Sequence, residues 1–409
     1  MKLSNVLSMA LASTTGAKSI GKPNEVDDLA AEGLHRMQAY YSENPLPSPE
    51  KCTLDNVAVR RDWSALSKQE RRSYIKAVKC LAKLPAKTPA AIASGARSRY
   101  DDLVITHIQQ AFTIHGTANF LTWHRYYTWA FEQMLRSECG YKGYQPYYNW
   151  GHWADNPKAS PFFDGSDTSM SGDGAYIANR SSVCFPSTEQ CYIQLQPGSG
   201  GGCVTSGPFK EYATASHLSS SQQSQLLTPS SSWKINLGPL AAVSLPPPTP
   251  NPQPNGLGYN PRCLSRDISL QSSAETRDSV VAALIKDNTT ITSFQTVLGG
   301  EFAQGKMGPH VGGHNTIGGD AGSDFINSPA DPAFFAHHAM VDRVYWTWQN
   351  LDLESRKEAI AGGTSGVGDP GEAGTLEDVI TLGEWVGVGN VTIREAMSTV
   401  GGPFCYVYV

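Results

Sequence analysis

Seven of the ten histidines fall in two short windows. DDLVITHIQQAFTIHGTANFLTWHRYYTWAFEQML holds His107, His115 and His124. GEFAQGKMGPHVGGHNTIGGDAGSDFINSPADPAFFAHHAMVDRVYWTW holds His310, His314, His337 and His338. Imidazole is a nitrogen donor suited to copper, zinc, iron and nickel. Two clusters of three imidazoles, without an obvious carboxylate or thiolate ligand, suit a pair of metal ions with open positions. Copper fits better than zinc, because paired zinc ions in hydrolases usually share bridging carboxylates. Composition alone leaves zinc open.

The spacings say which elements must position these rings. LVITHIQQAF has helical periodicity, and Gly116 just after His115 marks a helix end. A second helix is expected over WHRYYTWAFEQML, with His124 in its first turn. Two antiparallel helices and their loop would then gather the three rings. His310 and His314 are i and i+4, so on a helix they share one face a turn apart. His337 and His338 are neighbours, about 100° apart around a helix, so only one can face the same metal. A lone histidine on an apolar helix is usually a packed core residue, and neither a His-x3-His spacing nor a doublet means much alone. The combination is what argues for a site. His35, His152 and His217 lack such company and read as surface or structural residues.

The flanking residues carry a resemblance. Trp123-His124-Arg125 with Phe131-Glu132 behind it, the His310–His314 pair, and Asp331-Pro332-x-Phe334 leading to His337-His338 and Asp342-Arg343 are the residues concerned. Together they resemble the type-3 dicopper family of tyrosinases, catechol oxidases and haemocyanins, and most closely short secreted fungal polyphenol oxidases. The resemblance runs from about residue 50 to the end. It implies a mainly α fold, a central four-helix bundle around two copper ions with long loops and a few short strands. It assigns copper A to His107, His115 and His124, and copper B to His310, His314 and His338. His337 then packs or hydrogen-bonds beside the site, and Asp342 is the carboxylate expected to fix a ligand tautomer. Tyr406-Val407-Tyr408 resembles the tyrosine motif closing the catalytic domain, with Arg60 or Arg61 as its partner. Many relatives then carry a shielding C-terminal domain, and none is expected here. Pro146-Tyr147-Tyr148-Asn149-Trp150 departs at two positions from the family's Pro-Tyr-Trp-Asp-Trp run and reads as packing. Thr113 stands where several relatives have a thioether-forming cysteine, so no such link is expected there.

A chain of 409 residues with 40% hydrophobic content can bury a sizeable core. Net charge of −5 and a pI near 6.1 give no reason to expect nucleic acid or anionic membrane as partner. No run of about 20 apolar residues is present, so no transmembrane helix is expected. MKLSNVLSMALASTTGA has one early lysine, an apolar run and small residues near Ala17, which reads as a secretory signal over 1–17. Residues 18–409 are then a single catalytic domain, monomeric or homodimeric. Eight cysteines without a C-x-x-C pair fit disulfides of an oxidising compartment. Sequons at Asn179, Asn288 and Asn390 agree with secretion.

The rest of the chain supplies scaffolding. EVDDLAAEGLHRMQAYY reads as a helix, and a second follows Ser64 or Ser67 as cap. Trp63, Leu66, Tyr74, Ile75, Val78 and Leu81 form its apolar stripe and read as core. Residues 155–265 are Gly-, Ser- and Pro-rich and predict long loops with short strands. Their Pro-rich run at about 245–262 is expected to be extended, exposed and open to proteolysis. Helical patterning returns over ETRDSVVAALIKDNTTITSFQTVLGG. The glycines of GGHNTIGGDAGSD would let loop backbone pass close to substrate. DRVYWTWQNLDLESR reads as a strongly amphipathic helix, and the last 50 residues as loops and strands.

Three neutral imidazoles per copper leave open positions between the metals. Two coppers there can pass two electrons to O2 while a small phenolic substrate, an o-diphenol, becomes an o-quinone. Relatives that also hydroxylate monophenols often have a Glu nine residues before the first copper B histidine, credited with positioning a water, and an Asn just after that histidine. Here Glu301 is nine before His310, Val311 follows His310, and Asn315 follows His314 instead. The pair is incomplete, so the expectation is diphenol oxidation with weak monophenol hydroxylation. A true tyrosinase is one alternative and a haemocyanin-like dioxygen carrier another, although haemocyanins are longer or multi-domain. A dizinc hydrolase or a metal-free structural protein is what metal analysis would separate.

Overall fold

Helix boundaries follow from capping chemistry. In the computed structural model, which describes residues 24–53, 55–210, 233–239, 250–366 and 370–409, helix α1 (Glu25–Glu43) starts where the Asn24 side chain accepts the Asp27 N–H. Helix α2 (Lys68–Leu81) opens with a reciprocal Ser67–Glu70 capping box, and α3 (Arg99–Ile114) with a Ser98–Asp101 box. Helix α4 (Phe120–Cys139) ends at Gly140, whose φ of 66° lets its N–H return to the Leu135 carbonyl. The expected secretory signal, His217 and the start of the Pro-rich run lie outside the described residues.

The region expected to be helical after residue 275 divides into α5 (Asp278–Asp287) and α6 (Ile291–Gly299), the second capped by Thr290. Helix α7 (Gly308–Ile317) carries His310 and His314, and α8 (Ala333–Leu351) carries His337 and His338. Helices α3, α4, α7 and α8 form the bundle, with α1 and α5 also packed on α8. One expectation needs correction: α8 is not amphipathic, because every residue from Ala333 to Asn350 is buried. Its polar positions face neighbouring helices, where they do chemistry or pair internally, rather than water.

Ten short strands make five two-stranded pairs among the described residues. Strand β1 (Ala58–Arg60) runs parallel to β10 (Tyr406–Tyr408), with Arg60 opposite Tyr408. Antiparallel pairs join β2 (Gly174–Tyr176) to β5 (Gly201–Val204) and β3 (Val183–Pro186) to β4 (Cys191–Leu195). Two more join β6 (Lys234–Ile235) to β7 (Arg262–Cys263) and β8 (Val379–Ile380) to β9 (Val391–Thr392). All eight cysteines pair, as Cys52–Cys405, Cys80–Cys139, Cys184–Cys191 and Cys203–Cys263. The first closes the chain beside the β1–β10 pair, and the second ties α2 to α4. The stripe Trp63, Leu66, Tyr74, Ile75, Val78 and Leu81 is core, as expected.

Candidate metal centre

The first three imidazoles come from one helical hairpin. His107 lies inside α3. His115 follows two turns later as its C-cap, where extended backbone and then Gly116, at φ 67°, turn the chain. Helix α4 begins at Phe120, so His124 sits in its second turn rather than its first. The three ring centroids are 4.9–5.8 Å apart. Each Nδ1 faces a backbone carbonyl: His107 with Ile326 at 2.7 Å, His115 with Ala111 at 2.8 Å and His124 with Phe120 at 2.8 Å. A carbonyl only accepts, so each Nδ1 carries the proton and each Nε2 presents a lone pair. Of these, the Nε2 atoms of His107 and His124 are buried without a partner.

The second group sits on α7 and α8. His310 and His314 occupy one face of α7, and their ligand atoms lie within 4.8 Å of those of His337 and His338. His314 Nδ1 donates to the Gly322 carbonyl at 3.2 Å. Its Nε2 is 3.1 Å from His338 Nε2, two nitrogens pointing at one spot. His310 Nε2 is buried and unpartnered. The groups meet where His124 stacks on His338, with centroids 4.5 Å apart. Burial holds every one of these rings below the ordinary histidine pKa, with help from neighbouring imidazoles at most of them: His115 falls to about 4 and His314 to about 3. The rings are therefore neutral at neutral pH, as metal ligands must be. Orphaned, inward-facing Nε2 atoms in two adjoining groups fit a pair of copper ions.

His337 is placed differently. Its ring lies between Trp150 and His314, at 5.2 and 4.4 Å, and neither nitrogen meets a hydrogen-bond partner. Gly313 makes room for it, since a Cβ there would come within 2.2 Å of His337 Cε1. Gly312 likewise lets α7 approach Glu275. These glycines serve helix packing, not the loop role expected of them. Glu275 itself was not picked out from sequence. Its Oε2 accepts the Gly308 N–H at 3.1 Å, at the positive end of α7. Nothing in its local sequence signals that long-range contact.

Asp342 does not fix an imidazole tautomer; backbone carbonyls do that at His107, His115, His124 and His314. Instead it accepts from Arg125 Nε at 2.6 Å, Tyr406 at 2.6 Å and Tyr408 at 2.7 Å. Two buried guanidiniums, Arg60 and Arg125, need that negative charge. Arg60 is the partner of the tyrosine motif, over the Tyr406 ring and 3.1 Å from the Tyr408 hydroxyl, whereas Arg61 pairs with Glu70. His152 pairs with Asp27, and His35 is exposed. Trp150 packs on the His337 ring, and the Asn149 amide donates to Asp27 at 2.9 Å. Thr113 bonds to the Gln110 carbonyl.

The residues expected to tune the chemistry have other partners. Glu301 accepts from Gln304 at 3.0 Å and lies 3.6 Å from Lys306. Val311 packs in a small apolar cluster with Met307, Phe302 and the β3–β4 hairpin residues Phe185, Ile193 and Leu195. The Asn315 amide donates back to the Val311 carbonyl at 3.0 Å. Phe334 is buried and stacked on His338 at 4.1 Å, a floor. Phe325, 45% exposed, lies 4.5 Å from the His115 ring, at the mouth.

Residues 97–351 match the common central domain of tyrosinase. The chain belongs to the tyrosinase family. Its relatives include tyrosinase-like protein orsC of Emericella nidulans, 40% identical over 343 residues, covering 80% of this chain and 84% of that one. Tyrosinase P of Aspergillus terreus is 36% identical over 366 residues, covering 88% and 94%. The solved structure of a polyphenol oxidase variant from Thermothelomyces thermophila is similar with a TM-score of 0.83 and 37% identity, covering 95% of this chain and 99% of that one. The two buried imidazole groups fit the dinuclear type-3 copper centre of a tyrosinase-family phenol oxidase. Among the described residues no helix is long and apolar enough to cross a membrane.

Proposed function

We propose that this protein is a secreted catechol oxidase, converting o-diphenols to o-quinones with reduction of O2 to water, and hydroxylating monophenols only weakly. His107, His115 and His124 hold copper A, and His310, His314 and His338 hold copper B. His337 stays outside the coordination sphere. When bound, the copper pair supplies the two-electron redox chemistry. The observation that carries the reading is the convergence of buried, unpartnered Nε2 atoms from both groups. The protein's part is to keep these rings neutral by burial, to orient His107, His115, His124 and His314 through backbone carbonyls, and to shape access. Phe325 lies against the His115 ring and Phe334 against the His338 ring, aromatic neighbours that suit a small phenol ring.

The preference for diphenols has its own support. Deprotonating a bound monophenol needs a nearby proton acceptor. Glu301 is engaged by Lys306 and Gln304, Asn315 by its own helix, and Val311 offers only methyl groups. An o-diphenol is oxidised more readily and asks less of such groups. A second reading, strong monophenolase activity, draws on Glu301 keeping the spacing seen in hydroxylating relatives and on the name of Tyrosinase P. Disulfides, and an N-terminal stretch that reads as a secretory signal, support secretion. Oxygen uptake by the copper-loaded protein, with catechol and phenol in parallel, tests the proposal. Fast uptake with catechol and slow uptake with phenol is expected. Equal rates would make it a tyrosinase, and no uptake with two coppers bound would favour a dioxygen carrier.

A further inference from the structure

Away from the copper centre, α2 and the residues just after it carry an unusual charge. From Lys68 to Lys87 the chain has seven Lys or Arg residues and one acidic residue, Glu70, giving 7 − 1 = +6 in a protein of net charge −5. Tyr74, Ile75, Val78 and Leu81 turn to the core. Arg72, Lys76, Lys79 and Lys83 follow at i, i+4, i+7 and i+11, one stripe along the helix and its first residues beyond. At 1.5 Å per residue this stripe is about 16 Å long. It forms one wall of an open groove of about 600 Å³, whose other wall includes Asp167, Pro208 and Lys210.

Little in the structure neutralises this stripe. Arg72 pairs with Asp167 at 2.9 Å, and Lys79 reaches only the Pro208 carbonyl, at 3.0 Å. Among the described residues Lys76 and Lys83 have no carboxylate within ion-pair distance. Partial burial, and to a lesser degree the charge of Lys83, hold the Lys79 ammonium below its ordinary pKa. The arrangement also discriminates between anions. A phosphate monoester calls for donors converging on one point, ideally an Arg fork. Here single-point ammonium groups are strung in a line, and the one Arg is engaged. Single-stranded nucleic acid calls for aromatic stacking platforms, and among the described residues no aromatic side chain lines the groove. A line of separated, hydrated cations fits a chain with one carboxylate per repeat.

We propose that the Arg72–Lys83 groove binds an acidic polysaccharide, a polymer of uronic-acid sugars, and holds the protein against a carboxylate-bearing matrix. The test uses the copper-loaded full chain and fluorescein-labelled oligogalacturonate, read by anisotropy at low and raised salt. Compared are the wild type, Lys76→Glu/Lys79→Glu/Lys83→Glu, its charge-neutral Lys→Gln counterpart, and a control with Lys142→Glu/Lys158→Glu/Lys234→Glu. Binding should weaken roughly tenfold or more in both groove variants and with added salt, and stay unchanged in the control. All four proteins should keep two coppers and their oxygen uptake with catechol. Equal binding by wild type and groove variants would overturn the proposal, as would an equal loss in the control. Binding of a sulfated glycan, polyphosphate or RNA in place of oligogalacturonate would overturn the assignment of ligand class.

Discussion

The two halves of the copper centre are built by different means. All three copper A imidazoles donate Nδ1–H to a backbone carbonyl, at 2.7–2.8 Å. In the copper B half, among the described residues, only His314 is tied to a carbonyl in this way, and at 3.2 Å. His338 Nδ1 is buried without a partner, and a fourth imidazole, His337, belongs to the same group. Helix α7 reaches that half through glycines at 312 and 313, where side chains would collide with Glu275 and His337. Orientation in the A half is thus set by hydrogen bonds, and in the B half by close packing. Packing is felt at the level of one methyl group, so the B half should be the more easily disturbed and the more easily retuned.

The largest effects should come from the ligands, and they separate the neighbouring histidines. His124→Ala and His338→Ala should each leave one copper per chain. Each should cut catechol turnover by more than about 100-fold, beyond the range for losing an outer hydrogen-bond partner. His337→Ala should keep both coppers and lose less than about tenfold. Metal analysis with oxygen uptake checks all three, and one copper in His337→Ala would reverse the ligand assignment. Next comes Gly313→Ala, whose added Cβ would meet the His337 ring at 2.2 Å. Overpacking of this kind costs about 1–3 kcal/mol. Thermal unfolding should show that loss together with weaker copper B retention under chelation. Adding His337→Ala removes the colliding ring and should restore both; failure to do so would mean that the collision is not the cause.

That asymmetry explains what was readable in the sequence. Histidine spacings repeat with the helix, so the pairing of His310 with His314 and the end of α3 at His115 could be read from local periodicity and one glycine. The long α8 could be seen as a helix but not as a buried one. Its polar residues suggested a wet face, whereas Asp342 and Arg343 are paired inside the core. Asp342 was misplaced for the same reason: sequence shows that it is four residues from His338, but not that Arg125 and two C-terminal tyrosines converge on it. The carbonyls of Ile326 and Gly322 leave no side-chain signal at all. Glu275 meets α7 only through tertiary packing, and the joining of Cys52 to Cys405 likewise requires the folded chain.

Effects of a few-fold should follow from changes at the walls of the site. Phe325→Ala removes the exposed ring over His115, on the copper A side. It should lower KM for bulky diphenols about 3-fold and change kcat little, as expected for loss of a barrier made before chemistry. Val311→Asn acts on the copper B side, and should raise the phenol-to-catechol rate ratio about 3-fold by offering a polar group where methyls now stand. If Phe325→Ala moves that ratio more than Val311→Asn does, the B half is not the tunable one.

The smallest effect tests whether the B half also leans on the outer shell of the fold. Helix α1 is clamped to α8 through Asp27, which accepts from Arg343 at 2.9 Å and pairs with His152 at 2.8 Å. Burial alone would raise the Asp27 pKa, but the His152 hydrogen bond and the Arg343 charge outweigh it and hold the carboxyl well below the usual range. The Asp27 hydrogen bond raises His152 above its ordinary value of 6.5. The signs are opposite. The contribution of Asp27 is present above its unfolded pKa near 3.8 and is lost as pH falls toward the folded value. The contribution of His152 is present below 6.5 and is lost as pH rises through its raised folded value. The clamp is therefore strongest between about pH 4 and 6.5. Asp27→Asn keeps the shape but weakens charge-assisted bonds to neutral ones, a loss of about 1 kcal/mol. Unfolding midpoints followed from pH 5 to 9 should show the variant furthest below the wild type near pH 5.5, with the gap narrowing at alkaline pH. Chelation should then strip copper from the B half first. A gap independent of pH would mean that Asp27 acts through packing, and even loss from both halves would mean that α1 supports the bundle as a whole.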